Sequence, residues 1–391
     1  MLIAIAAGES SGDALGAGLI EAIRRDAPAA RFVGIAGPGM RAAGCEAWNQ
    51  SEELSVMGLA EVLRHLPRLL RLRRRFAERL LAAPPDVFVG IDSPDFNLPL
   101  AAKLKARGIR TVQYVSPQVW AWRQSRVSRI ARAVDRVLCV LPFELDFYAR
   151  HGVAAEFVGH PLADEIPLVV DRNAARDALG IDREATLLAL LPGSRRAEVV
   201  ALARPFAETA GWLAERVAGL EVAVAIAHAG LVPEWKARTA GCAAAGRATR
   251  FVGRARELMA AADVVLTASG TASLETMLSK RPLVVAYRMS RFSYWLLRRM
   301  GIAKLPFYSL PNLLAGRELA PEFVQEAVRA DLLGPALLER LERGPADDEN
   351  LAVMQSIHAQ LRQGGSAAAA RAVLALVPEA ARRPMPERTQ A

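Results

Sequence analysis

Four short loops in the 391-residue chain combine glycine, hydroxyl and charged residues at spacings that can do chemistry. Gly90-Ile91-Asp92-Ser93-Pro94-Asp95-Phe96-Asn97 follows a strongly apolar run and sets two carboxylates beside a turn. A carboxylate partly withdrawn from water gains proton affinity and can take a proton from a hydroxyl as general base. Asp92 fits that role as well as it fits a simple turn, whereas Asp95 reads first as a cap for the helix that follows. Leu191-Pro192-Gly193-Ser194-Arg195-Arg196, with Glu198 close behind, places a glycine-serine turn and two arginines at a helix start. Free amides, the helix dipole and fixed positive charge together make a phosphate receptor, with a solvated arginine pair as the plainer alternative. The Gly-Lys-Ser/Thr ending of a P-loop is missing, which argues against triphosphate hydrolysis.

The other two loops share the same logic. Gly8-Glu9-Ser10-Ser11-Gly12-Asp13, with Gly16 one turn later, can offer helix amides to an anion or a sugar hydroxyl, or can be a strand-to-helix turn with a serine cap. Its spacing is not the dinucleotide fingerprint, so nicotinamide binding is disfavoured. Ala268-Ser269-Gly270-Thr271-Ala272-Ser273-Leu274-Glu275 has side chains small enough to admit a pyrophosphate to a helix start, and Glu275 can accept hydrogen bonds from a ribose diol. Paired with the arginine loop, it points to a nucleotide-diphosphate site. His160, beside Pro161, stands with Asp95 as a second candidate proton acceptor.

These loops need strands behind them and helices ahead. Apolar runs at Leu2–Ala7, Arg31–Ala36, Asp86–Ile91, Thr111–Val115 and Val137–Val140 alternate with helical patterns at Asp13–Arg25 and Ala101–Arg107. A proline-marked stretch from Gly159 to Pro167 interrupts the rhythm. It restarts with strands at Thr186–Leu191, Glu221–Ala227, Thr249–Val252, Asp263–Thr267 and Leu283–Tyr287 and helices at Ala197–Val217 and Ala272–Ser279. The tail from Glu322 onward reads as helical. The pattern predicts an α/β protein with two doubly wound parallel sheets in series and a cleft facing the carboxyl ends of their strands. The expected domains are 1–165, 166–345 and a helical 346–391 with a frayed end.

Composition narrows the functions. Hydrophobic residues make up 52% and charged residues 23%, a globular balance that excludes a disordered chain. Cys45, Cys139 and Cys242 are too scattered for a disulfide framework or a zinc site and read as buried thiols of a reducing compartment; no metal site is expected. The net charge of +9 favours anionic partners, and it is concentrated: residues 64–79 hold seven arginines against Glu78, and residues 121–136 hold five against Asp135. Within the first of these stretches, Leu59, Val62, Leu63, Leu66, Leu69 and Leu70 recur at helical spacing, with Arg64, Arg68, Arg71 and Arg75 on the other side and Pro67 expected to divide or kink the helix. Such a helix suits a membrane interface, or a core-facing helix with a basic back. No zinc finger, RRM or basic zipper accompanies the arginines, so nucleic acid is not an expected partner. No run reaches the length of a membrane span, and the opening apolar run lacks a basic leader, so a cytoplasmic protein is expected.

Taken in order, several motifs resemble one family. They are Gly8-Glu9-Ser10-Ser11-Gly12-Asp13, Met57-Gly58, Gly90 to Asn97, Tyr114-Val115-Ser116-Pro117-Gln118-Val119-Trp120-Ala121-Trp122-Arg123, Leu141-Pro142-Phe143-Glu144, Leu191 to Arg195, Ala268 to Thr271, and Ser309-Leu310-Pro311-Asn312-Leu313-Leu314-Ala315-Gly316-Arg317. From about residue 2 to 376 the chain is similar to the lipid-A-disaccharide synthases. The resemblance implies a GT-B fold and an inverting, metal-independent glycosyltransferase that needs no cofactor. Such an enzyme joins UDP-2,3-diacylglucosamine to 2,3-diacylglucosamine 1-phosphate (lipid X), forming a β-1,6 disaccharide and UDP. It further implies Asp92 as base for the acceptor 6-hydroxyl and Arg195 as the charge that stabilises departing diphosphate. Gly193, Ser194, Ser269, Gly270, Thr271 and Glu275 would hold the donor, Glu275 at its ribose, with Asn312 and Arg317 contributing to the donor pocket. The Gly8–Asp13 loop and Asp95 would border the acceptor, and Leu59, Val62, Leu63, Leu66, Arg68, Leu69, Leu70 and Arg71 would face the cytoplasmic leaflet of the inner membrane. The C-terminal helices would pack back on the first domain. Another UDP-sugar enzyme of the same architecture, a 2-epimerase or a cell-wall transferase, is the alternative, and a basic scaffold that only binds anionic membrane or nucleic acid is the non-enzymatic one. The sequence carries no signal for oligomeric state.

Overall fold

The computed structural model describes residues 1–54, 59–122, 126–289, 306–344 and 348–378, without the side chains of 10, 59–65, 121, 122, 245 and 348. The chain packs as two units, Met1–Asp164 with Leu361–Ala391, and Glu165–Gln360. The segment expected from 346 is therefore shared: the helix Asp348–Leu361 packs almost wholly with the second unit, and the helix Gly365–Leu374 with the first.

The first unit is built on one parallel sheet of β1 (Leu2–Ala7), β2 (Arg31–Ala36), β3 (Cys45–Gln50), β4 (Val87–Ile91), β5 (Arg110–Tyr114), β6 (Arg136–Cys139) and β7 (Ala155–Phe157), in the order 3-2-1-4-5-6-7. Its helices include α1 (Ser10–Asp26), α2 (Pro38–Ala42), α3 (Leu59–Ala82) and α4 (Pro94–Lys105). The second unit has β8 (Leu187–Leu191), β9 (Glu221–Ile226), β10 (Thr249–Val252), β11 (Val264–Ala268), β12 (Leu283–Tyr287) and β13 (Glu322–Val324), in the order 10-9-8-11-12-13. Central strands β4, β8 and β11 are buried at every residue, as expected where helices cover both faces and no side of the strand meets water. Each unit closes its own core, around Phe76, Phe88 and Tyr148 in the first and Phe206, Trp235 and Leu266 in the second.

Three differences from the sequence-based expectation have local causes. Glu322–Val324 is an edge strand rather than the start of a helical tail, because Val285, Ala286 and Tyr287 of β12 supply a pairing edge that a three-residue apolar pattern does not announce. The helix expected at Ala101–Arg107 begins at Pro94, a residue pre-set for the first helical position. Pro67 does not divide α3, which runs as one helix of 24 residues.

An internal ion pair fastens the start of the second unit. Arg176 is fully buried and donates to Asp263 Oδ2 at 2.7 Å and to the carbonyls of Ala261, Asp182, Arg183 and Ala185. Asp263 also receives Arg172 and the amide of Leu187, so one carboxylate ties a helix to the first strand of the sheet. Removing one partner leaves buried polar groups unsatisfied, and Arg176→Met is expected to cost about 3–5 kcal/mol, read as a lowered midpoint in urea unfolding of the whole chain.

Candidate active site

In both sheets the strand order reverses once, between β1 and β4 and between β8 and β11. The loops leaving such neighbouring strands diverge to opposite faces and leave a crevice at the carboxyl edge. The four motif loops leave these four strands.

In the first unit, Gly8 directly follows β1 and lies against the loop after β4: a Cβ at Gly8 would fall 2.6 Å from Ser93 Oγ. Glu9 and Ser11 are exposed, and Glu9 occupies the cap position of α1 without a capping side-chain bond. Asp13 turns inward. Its carboxylate accepts the amides of Gly37, Gly39 and Met40 at 2.7–3.0 Å and so pins the loop after β1 to the start of α2.

Asp92 and Ser93 both adopt left-handed backbone, φ +48° and +41°, where β4 passes into α4. Its amide donates to Tyr114, and its carbonyl accepts Asn97 Nδ2 at 2.9 Å and Gln113 Nε2 at 3.0 Å. Its half-buried carboxylate receives no hydrogen bond among the described residues, which leaves it available to a ligand hydroxyl. Asp95 is exposed and pairs with Arg126 at 3.3 Å, while its carbonyl accepts Arg73. Burial lowers the pKa of His160 to about 4, partly offset by nearby Asp164, so its ring is neutral at pH 7. The amide of Leu162 donates to His160 Nδ1 at 3.3 Å.

Sequence reasoning gave no role to Glu144, the last residue of Leu141-Pro142-Phe143-Glu144, and the structure buries it at the start of the helix Glu144–Arg150 that follows β6. Trp120 Nε1 donates to one oxygen at 3.1 Å and the Leu141 amide to the other at 3.2 Å. Desolvation outweighs these donors, and those of Ser116 and Val140, and lifts the carboxyl from 4.5 to about 7. Glu144 thereby joins the loops after β5 and β6.

In the second unit, Gly193 at φ +114° begins the turn after β8, and Arg195 stands exposed before the helix Arg196–Ala214. The anion held there is the chain's own: Glu198 accepts the amides of Ser194 at 2.9 Å and Arg195 at 3.1 Å. After β11, Gly270 and Thr271 are exposed and nothing stands within 4 Å of where a Cβ of Gly270 would be. Ser269 Oγ is occupied by the Tyr308 carbonyl. Glu275 accepts Arg256 at 2.8 Å through one oxygen. Asn312 is fully buried with both ends of its amide engaged, by Leu319, Ala320 and Glu322, and Arg317 reaches Asn350 and Glu349. Asn312 and Arg317 therefore brace the segment 309–322.

Of the basic amphipathic stretch, the side chains of Leu59, Val62 and Leu63 lie outside the described residues. Leu66 and Leu70 are 41% and 44% exposed, with Arg68 and Arg71 also exposed, while Leu72, Phe76 and Leu80 of the same helix enter the core. Among the described residues no helix is long and apolar enough to cross a membrane, and no group of His, Cys, Asp or Glu could hold a metal ion.

The model of a family described as Lipid-A-disaccharide synthetase matches residues 3–376. A lipid-A-disaccharide synthase of Xanthomonas campestris pv. campestris is 50% identical over 382 residues, covering 96% of this chain and 86% of the relative. One from Erwinia tasmaniensis is 50% identical over 376 residues, covering 96% and 98%. Among solved structures, a UDP-GlcNAc 2-epimerase from Neisseria meningitidis has a TM-score of 0.64 at 10% identity, covering 96% of this chain and 100% of that one. The glycotransferase of kitacinnamycin has 0.63 at 16%, covering 96% and 99%. At such identities these two likenesses speak for the fold alone.

Glu144 makes stability depend on pH. With its carboxyl raised to about 7 on folding, the folded chain keeps a proton that the unfolded chain loses near 4.5. That contribution is whole below 4.5 and vanishes as pH climbs through about 7. Relative to Glu144→Gln, the wild type is expected to lose roughly 3 kcal/mol of unfolding free energy between pH 4.5 and 8, measured by urea titration across that range.

Proposed function

The chain belongs to the lipid-A-disaccharide synthetase family and is a GT-B glycosyltransferase of lipid A biosynthesis, and from that premise we propose how its residues divide the work. The donor is UDP-2,3-diacylglucosamine and the acceptor is 2,3-diacylglucosamine 1-phosphate. The acceptor 6-hydroxyl oxygen attacks the donor's anomeric carbon, the bond from that carbon to the diphosphate oxygen breaks, and UDP leaves with the electron pair. Attack from the face opposite the leaving group inverts the centre and gives the β-1,6 disaccharide. Asp92 takes the hydroxyl proton. The observation that carries this assignment is its carboxylate at the β1/β4 crevice, held on a fixed backbone and left without an internal partner among the described residues.

Arg195, at the N-terminus of a 19-residue helix, stabilises the charge on the departing diphosphate. Binding there requires the Glu198 carboxylate to yield the amides of Ser194 and Arg195 to phosphate oxygens. The open space before Gly270 and Thr271 admits the pyrophosphate, and the second oxygen of Glu275 meets the ribose. Gly193 and Ser269 shape the turns, and Asn312 and Arg317 act on the donor pocket through the segment they brace. Gly8 to Gly12 border the acceptor, with Asp13 holding their loop. A 2-epimerase reading rests on fold likeness at 10% identity and gives way to relatives at 50%.

The lipid substrates call for contact with a membrane, and α3 is suited to it. Exposed Leu66 and Leu70 can enter the acyl boundary while Arg68 and Arg71 meet phosphates of the inner membrane's cytoplasmic leaflet. A groove of about 240 Å³ between α3 and α4, rimmed by Arg73, Arg74 and Lys103 above Ala77 and Leu100, continues the basic surface.

Purified protein supplied with both substrates in detergent micelles is expected to release disaccharide and UDP. Asp92→Asn is expected to lower turnover at least about a hundredfold while UDP still raises the melting temperature. Turnover at the wild-type rate would transfer the base to Asp95 or His160. Arg195→Ala is expected to lose roughly a hundred- to thousandfold in kcat, as removal of one charge-stabilising donor does elsewhere. Replacing Leu66 and Leu70 together by serine is expected to weaken binding to phosphatidylglycerol vesicles roughly tenfold in a sedimentation assay.

A further inference from the structure

Asn97 and Gln113 are buried polar side chains that converge on one atom. Asn97 is 0% and Gln113 1% exposed, and both donate to the carbonyl oxygen of Asp92. Their remaining hydrogen bonds go to the same strand ends: Asn97 Nδ2 reaches Ile91 at 3.2 Å and Ala6 at 3.4 Å, and Gln113 Nε2 reaches Val115 at 3.3 Å and Tyr114 at 3.4 Å. What they hold is an unfavourable backbone. Asp92, Ser93 and Val115 are three non-glycine residues with φ between +41° and +70°, and a β-branched valine is a marked outlier there. Ser93 also precedes a proline and caps α4 without a side-chain bond, so helix capping does not account for its conformation.

Two details show that the arrangement is not the most comfortable packing available. Asn97 Oδ1 is buried without a hydrogen-bond partner among the described residues, a cost that an apolar side chain would avoid. Gly90 faces Asn97 so closely that a Cβ there would lie 2.7 Å from Asn97 Cβ, so the strand has given up a side chain to admit the amide.

We infer that Asn97 and Gln113 are positioning residues that clamp the Asp92 carbonyl, fixing the left-handed Asp92–Ser93 backbone so that the Asp92 carboxylate is presented at one place without a side-chain bond to any other described residue. The proposal rests on Asp92 as the base. A base that the described residues hold through its backbone keeps both carboxylate oxygens for the substrate, and its placement then depends on those two amides. Small displacements of a reacting group are costly to rate.

The test compares Gln113→Met and Asn97→Ala, each alone and in the Asp92→Asn background, with turnover measured under enzyme excess and melting temperature alongside. Each single variant is expected to lower kcat about ten- to a hundredfold with the donor KM within about twofold. In the Asp92→Asn background neither is expected to lower the residual rate further, because a clamp has nothing left to position. Asn97→Ala removes the unpartnered oxygen but also the donor to three buried carbonyls, so its melting temperature is expected to fall and its kcat is read well below that temperature. Wild-type kcat in Gln113→Met, or a kcat loss matched by an equal rise in donor KM, or the same fold loss with and without the Asp92 carboxylate, would overturn the clamp. Should Asn97→Ala fail to fold, the Gln113→Met pair alone decides. Full turnover by Asp92→Asn itself sinks the base assignment, whereas a dead Asp92→Asn beside a fully active Gln113→Met sinks the clamp alone.

Discussion

A parallel sheet must be covered on both faces, because helices return the chain between its strands and leave no solvent side for polar groups. Everything chemical in this protein follows from that restriction. Polar side chains are pushed to the carboxyl ends of strands, and the only ends not overrun by a crossing helix are those where strand order reverses. Asp92 stands at one reversal, Arg195 and Gly270 at the other. The same restriction makes the internal polar groups few and heavily bonded, as with Arg176 and Asp263 beneath the second sheet.

Carboxylates that gather backbone amides recur as the device that holds these loops. Asp13 takes three amides at the start of α2, Glu198 takes two after β8, Glu322 takes those of Tyr308 and Ser309, and Asp164 takes those of Gly364 and Gly365. Charge-assisted bonds of this kind are short and directional, and each replaces water at a chain turn that secondary structure cannot satisfy. Glu198 differs in consequence, since under the proposed function the amides it holds are those offered to the diphosphate.

The central strands were legible because a run such as Leu187–Leu191 is apolar throughout, and the strand-end motifs were legible because glycine and charge stand directly after such runs. Among the edge strands Thr249–Val252 was legible, and three others were not. Cys45–Gln50 is largely half exposed and Ala155–Phe157 is only three residues long, so, like Glu322–Val324, they lack both the apolar run and the clean alternation that mark a strand. In the candidate site, residue types at strand ends could be read, but saturation could not: the resemblance implies Asp13 and Asn312 beside the substrates, and only the fold shows their side chains already engaged, Asp13 by backbone amides and Asn312 by Leu319, Ala320 and Glu322. Gln113 carries a signal, an amide inside the strand-forming Thr111–Val115 run, whereas nothing in Leu141-Pro142-Phe143-Glu144 announces that its glutamate is buried.

The helix Gly365–Leu374 belongs to the unit that begins at Met1, docked on α1 and tied by Arg136 to the carbonyl of Ala372. Between the two pieces lies the whole second unit, residues 165–360. At translation rates of roughly 5–20 residues per second, a ribosome takes about 10–40 s to cross that span. For that interval the nascent first unit presents the α1 surface, Gly18 included, that Ser366 and its neighbours later cover. The second unit is continuous and can complete its core as it emerges. The order of assembly in the cell is therefore inverted with respect to the order of the sequence: the half that is synthesised first is finished last.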